Sequence, residues 1–270
     1  MNLKQYGVSP NMEKEVSYRF IAHLTGLLLA FESMLLLACC CVSMIYGERD
    51  LMSFVISFAV CLSVSAILLI YGRRKKCAMS RNEGYIVVAL SWVFFSVFGM
   101  VPYLWGGFIP NITDAFFETM SGFTTTGATI LDNIESMPHG ILFWRSLTQW
   151  IGGLGIVCFT IVLLPGFGAS SQMLYLSEAT GVTHNKLYPK TRVMARYIFM
   201  VYILLTTVES ALQMAGGMGL FDAVCHSMST TATGGFSTKQ ESIAYWHSVC
   251  SEQWNMKSDG DYLYFFCHSF

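Results

Sequence analysis

Five long apolar blocks, at residues 20–46, 51–71, 85–105, 141–164 and 193–214, dominate the chain. A helix of about 20 apolar residues spans the hydrocarbon core of a bilayer, and each block reaches that length. A soluble helix needs only an apolar stripe, so blocks that are apolar all round restrict the chain to an all-α integral membrane protein. Charged residues are 12% of the chain and hydrophobic residues 54%, against about 25% charged in soluble domains. A formal net charge of -1 leaves no basic surface for nucleic acid, so membrane lipid is the expected surrounding and nucleic acid is not an expected partner.

The loops orient the blocks. Arg73, Arg74, Lys75, Lys76 and Arg81 lie between the second and third, and Lys186, Lys190 and Arg192 between the fourth and fifth. Both loops are therefore expected in the cytoplasm, with the N-terminus on the same side. The connection Gly47-Glu48-Arg49-Asp50 and the stretch 106–140 then fall outside. That stretch holds Asp114, Glu118, Asp132 and Glu135 but no Lys or Arg. The polar N-terminus lacks a small-residue cleavage site after a short apolar region, so no removable signal peptide is expected. Cys39, Cys40, Cys41, Cys61 and Cys158 sit inside apolar blocks without a CxxC pair, and they read as small hydrophobes. No cofactor is expected.

The outer stretch after the third block contains an internal repeat. It reads Ile112-Thr113-Asp114-Ala115-Phe116-Phe117-Glu118-Thr119-Met120, long enough for about two helical turns, then Ser121-Gly122-Phe123-Thr124-Thr125-Thr126-Gly127-Ala128-Thr129, too rich in Thr and Gly for a stable helix. After the fifth block the pattern returns: Asp222-Ala223 opens it, Met228-Ser229 follows, and Ser229-Thr230-Thr231-Ala232-Thr233-Gly234-Gly235-Phe236-Ser237 closes it. Matching the Thr-Gly pairs places Gly127 opposite Gly234, 107 residues apart, with one extra residue in the first copy. A span, a short helix and irregular backbone describe a re-entrant loop, which membranes tolerate only inside protein or along a watery cavity.

A dehydrated cation needs oxygen ligands, which backbone carbonyls aimed at one axis supply. Glycine permits the positive φ that turns carbonyls inward, and Thr adds a hydroxyl. A short helix ending at the turn points its negative dipole end at the ion. One Thr-Thr-Thr-Gly run is compatible with an ordinary turn, whereas its recurrence after a span and a short helix favours an ion-binding loop.

At these residues the chain resembles the Trk/Ktr/HKT family of potassium transporters. Residues 114–129 are similar to the first pore loop of TrkH-type potassium uptake proteins, and 143–155 (Phe-Trp-Arg-Ser-Leu-Thr-Gln-Trp-Ile-Gly-Gly-Leu-Gly) to the start of the following pore-lining helix. Residues 229–237 are similar to the second pore loop, and the resemblance extends over about 15–246. It implies a potassium-channel-like fold of four span-loop-span repeats around one pore. Of these, 81–170 would be the first and 171–246 an incomplete second, preceded by an N-terminal pair of spans at 1–80 and followed by a divergent tail at 247–270. It implies potassium uptake across the plasma (bacterial inner) membrane, with a potassium-binding filter of Thr125, Thr126, Gly127, Ala232, Thr233 and Gly234. It further implies a homodimer and a cytosolic nucleotide-binding regulatory subunit of the TrkA type.

The tail departs from the family. Where another apolar pore-lining helix is expected, Ser248-Val249-Cys250-Ser251-Glu252-Gln253-Trp254-Asn255 and the polar residues after it fit no span, and 262–270 is too short for one. A frameshifted or truncated reading frame, or a sequencing artefact, is the expectation. The alternative function is then a non-transporting membrane fragment that folds in part or associates with other subunits. An intramembrane enzyme is disfavoured, because no His-Glu-x-x-His, Gly-x-Ser-x-Gly or paired intramembrane aspartates occur.

Other residues carry narrower expectations. Arg145, which opens the fourth block with Gln149 and Trp150, reads first as an interfacial anchor and second as a guard of the pore entrance. Glu32 reads as a helix–helix hydrogen-bonding group and Glu209 as an interface residue. His23 reads as a packing residue, and Gly152, Gly153 and Gly155 as points of close helix approach. Asp114 and Asp222 read as caps of the two short helices.

Overall fold

The computed structural model describes residues 18–72, 81–167 and 191–246. These residues form helices α1 (Tyr18–Tyr46), α2 (Leu51–Gly72), α3 (Arg81–Gly99), α4 (Val101–Trp105), α5 (Ile112–Phe123), α6 (His139–Phe167), α7 (Thr191–Ala215) and α8 (Leu220–Thr231). No strand occurs among the described residues. Tyr18–Tyr46, Leu51–Gly72, Ile86–Trp105 and Arg196–Ala215 are long and apolar enough to cross a membrane. The block expected at 141–164 forms α6, a helix of 29 residues. The basic residues 73–76, Lys186, Lys190 and the tail from 247 lie outside the described residues.

The hairpin of α1 and α2 is built inside out relative to a soluble protein. The buried residues of α2 are Ser53, Phe54, Ser57, Cys61, Ser65 and Gly72, a stripe of mostly small residues repeating every four positions. Its exposed large residues are Met52, Val55, Val60, Leu62, Ile67, Ile70 and Tyr71. Small residues let two helices approach closely in lipid, and an apolar exterior is stable only where the surroundings are hydrocarbon. The seam is completed by Ser65, which donates to the Gly26 carbonyl at 2.7 Å, and by Cys61, 3.3 Å from the Leu29 carbonyl. Glu32 is fully buried there, with Cys61 Sγ 3.9 Å from its Oε2. It thus faces the neighbouring helix, as expected, through a long thiol contact. His23 packs under Gly72, where a Cβ would lie 2.6 Å from the His23 Cβ.

The third block is not one continuous helix. It breaks at Met100 between α3 and α4, because Pro102 in the first turn of α4 has no N–H to continue the ladder. The chain then turns through Gly106 and Gly107 (φ +68) to α5. Helix α6 occupies the centre, touching α1, α5, α7 and α8. Its N-terminus is held from the hairpin: Glu48 accepts the His139 N–H, and the His139 ring stacks on Tyr46 at 4.0 Å. A carboxylate there satisfies a free donor and favours the positive end of the helix.

Candidate functional site

Helices α5 and α8 are each 12 residues long and end in the same way. In the first copy the N–H groups of Thr124, Thr125 and Thr126 donate to the carbonyls of Met120, Gly122 and Ser121. In the second, those of Ala232, Thr233 and Gly234 donate to Met228, Thr230 and Ser229. Both are Schellman motifs, in which a left-handed residue reverses the chain and satisfies the last helical carbonyls. That residue is a threonine each time, Thr125 and Thr233, both at φ 56. A β-branched side chain rarely occupies this conformation, so the paired bonds hold both loops in the same strained turn.

These bonds correct the register read from the sequence. Every bonded pair repeats at 108 residues, as do Asp114 and Asp222, so no extra residue stands in the first copy. Gly127 (φ +75) therefore corresponds to Gly235 (φ +86), and Gly234 corresponds to Thr126. The positive φ expected at Gly234 belongs to Gly235. Gly234 is glycine for another reason: a Cβ there would overlap the Gln149 amide. A Cβ on Gly127 would overlap the Gly234 carbonyl oxygen, so the two turns lie directly against each other. Thr126, Thr233 and Gly235 are exposed, Thr125 and Gly127 partly buried, and Ala232 and Gly234 buried.

One face of α6 fits between the loops. A Cβ on Gly152 would overlap the Phe123 carbonyl at the end of α5, and one on Gly153 would meet Ala232 at 3.0 Å, at the end of α8. The close approach expected of these glycines is thus to the loops. One and two turns earlier on the same face, Gln149 and Arg145 are fully buried. Gln149 Oε1 accepts from the Ser229 hydroxyl at 2.6 Å and the Phe236 N–H at 3.1 Å.

Arg145 is not the interfacial anchor expected of it, because it is buried between the two loops. It is 1% exposed, and its Nε donates to Glu118 Oε1 at 2.8 Å. Its other nitrogens donate to the Thr129 hydroxyl at 3.1 Å and the Ser237 carbonyl at 3.2 Å, and its guanidinium lies 4.3 Å from the centre of the Phe236 ring. Glu118 also accepts from the Ile130 N–H at 2.9 Å. The ion pair ties the rising arm of the first loop, through Thr129, to that of the second, through Ser237. In the 108-residue register His226 stands where Glu118 does, and its Nε2 lies 3.2 Å from the Ser237 hydroxyl. Each short helix thus bonds the hydroxyl of its own rising arm.

The acids at the helix starts are corrected too. The cap of α5 is Asn111, whose side chain accepts from the Thr113 N–H at 3.0 Å, while Asp114 lies in the first turn. The cap of α8 is Gly219, and Asp222 instead accepts from the Thr238 hydroxyl at 2.7 Å. Glu209 meets both its own helix and the second loop, accepting from Gln213 at 3.0 Å and Thr231 at 3.4 Å.

The sequence model of the TrkH family, described as a cation transport protein, matches residues 50–258. The Trk system potassium uptake protein TrkH of Salmonella typhimurium is 38% identical over 234 residues, covering 86% of this chain and 48% of that protein. The Trk system potassium uptake protein TrkG of Escherichia coli is 35% identical over 237 residues, covering 87% and 49%. The crystal structure of the potassium transporter TrkH from Vibrio parahaemolyticus superposes with a TM-score of 0.73 at 35% identity, covering 86% of this chain and 47% of that one. The chain spans about half the length of these relatives, and its helices mark it as an integral membrane protein. It belongs to the TrkH family of cation transport proteins.

Proposed function

We propose that the chain serves potassium uptake across a bacterial cytoplasmic membrane, contributing two filter segments to an ion-translocating subunit. The carrying observation is the contact between two identically built turns, in which Gly127 abuts the Gly234 carbonyl. Two short helices end at these turns, and their negative dipole ends favour a cation. The filter then comprises Thr125, Thr126, Gly127, Ala232, Thr233 and Gly234, extended to Gly235 by its positive φ. Carbonyl oxygens replace the water shell of the ion. The names of the relatives, potassium uptake proteins, support potassium as the cargo and a transporter in place of an enzyme.

In this reading 1–80 is an N-terminal helix pair, 81–170 the first repeat, 171–246 the second and 247–270 a divergent tail. The basic loops of the sequence support a cytoplasmic N-terminus. The family resemblance adds a homodimer and a TrkA-type cytosolic regulator.

The test joins the chain after residue 246 to the remaining half of the Vibrio parahaemolyticus protein and expresses it in a bacterium deficient in potassium uptake. Growth on low potassium that is lost on Gly127→Ser is the expected result. Growth unaffected by that change removes the first loop from the ion path. Expression of the 270-residue chain alone tests the alternative of a fragment that does not transport, which requires no growth.

A further inference from the structure

Gln149, like Arg145 one turn earlier on α6, reaches the backbone of the second loop. It is completely buried, yet only its oxygen is engaged: Oε1 accepts from Ser229 in α8 and from the Phe236 N–H, while Nε2 has no partner. The Phe236 N–H belongs to the peptide that follows Gly235, at φ +86. In a trans peptide the N–H and C=O point in opposite directions, and no cis peptide occurs among the described residues. Drawing the Phe236 N–H toward α6 therefore turns the Gly235 carbonyl away from it, out of the packed side of the loop. Glycine alone would leave that peptide free to flip. The Phe236 ring on the same residue is packed under the Arg145 guanidinium.

We infer that Gln149 is a positioning residue that sets selectivity by fixing the direction of the Gly235 carbonyl. The inference rests on the filter reading above and deepens it. What it requires of position 149 is an acceptor of this length, not an amide. Glu supplies both acceptor bonds, whereas Met fills the same volume against Gly234 and supplies neither.

Two measurements separate this from a packing role. In the 270-residue chain in lipid nanodiscs, amide exchange at Phe236 is expected to rise roughly tenfold in Gln149→Met, the factor for one lost hydrogen bond, and to stay protected in Gln149→Glu. In the chain joined to the remaining half of the Vibrio parahaemolyticus protein, the potassium-to-sodium uptake ratio is expected to fall about tenfold in Gln149→Met and to persist in Gln149→Glu. Unchanged exchange at Phe236 in Gln149→Met overturns the inference. So does raised exchange with an unchanged uptake ratio, which makes Gln149 structural only. Absence of uptake by the unsubstituted joined protein counts against the proposed function, and the exchange measurement still decides whether Gln149 holds the loop.

Discussion

Removing one partner of the Glu118–Arg145 pair strands a buried charge. The groups are 0% and 1% exposed and 2.8 Å apart. At an effective dielectric of about 20 their attraction is ~6 kcal/mol, part of which offsets the cost of taking both charges out of water. Glu118→Gln leaves the guanidinium buried without a counter-charge, among neutral partners: the new amide oxygen, the Ser237 carbonyl, the Thr129 hydroxyl and the Phe236 ring. An uncompensated buried charge costs about 3–5 kcal/mol, and Arg145→Met should cost as much by stranding Glu118. The double variant removes both charges and should cost less than the two single losses added together. The coupling should reach at least about 2 kcal/mol. Reversible unfolding of the four proteins in bicelles measures it. Additivity within about 0.5 kcal/mol would refute the view that these residues act as a pair.

Three further outcomes follow from the same geometry. Gly127→Ala and Gly234→Ala should destabilise more than Gly235→Ala in thermal unfolding: the first two meet a carbonyl oxygen and the Gln149 amide, while Gly235 has open space and loses only about 1–2 kcal/mol to its positive φ. Asn111→Ala should lose roughly 0.5–2 kcal/mol of stability with its cap bond, while Asp114→Asn should leave the potassium-to-sodium uptake ratio of the joined protein unchanged. Cysteines placed at Arg74 or Lys190 should resist an impermeant thiol reagent applied outside and one at Asn133 should react, native cysteines having been removed; the opposite pattern would invert the proposed topology.

Apolar block length located every long helix among the described residues, because crossing a bilayer leaves little choice of structure. The two re-entrant units were legible in Asp-Ala and Met-Ser, which recur at the true spacing of 108 residues. Matching Thr-Gly to Thr-Gly gives a register one residue short of this spacing. Backbone geometry is counted from the end of the short helix, and the left-handed position there holds a threonine, which propensity does not anticipate. Ser121, Gly122 and Phe123 extend α5 past the expected two turns, and Gly122 leaves room for the Thr148 side chain of α6. The roles of Arg145 and Gln149 stayed hidden because their partners lie 16 to 92 residues away in sequence. A usable signal existed: Arg145, Gln149, Gly152 and Gly153 share one helical face, and buried polar groups on such a face call for partners.

In the proposed function the turns at Thr125–Gly127 and Thr233–Gly235 together bind a potassium-like ion. Crystals of the joined protein grown in rubidium, an anomalous scatterer of similar size, test it most directly. The account predicts anomalous density between the two turns, within coordination distance of carbonyl oxygens from both. Well-ordered turns with no density between them, and rubidium bound elsewhere along the helices, would contradict it.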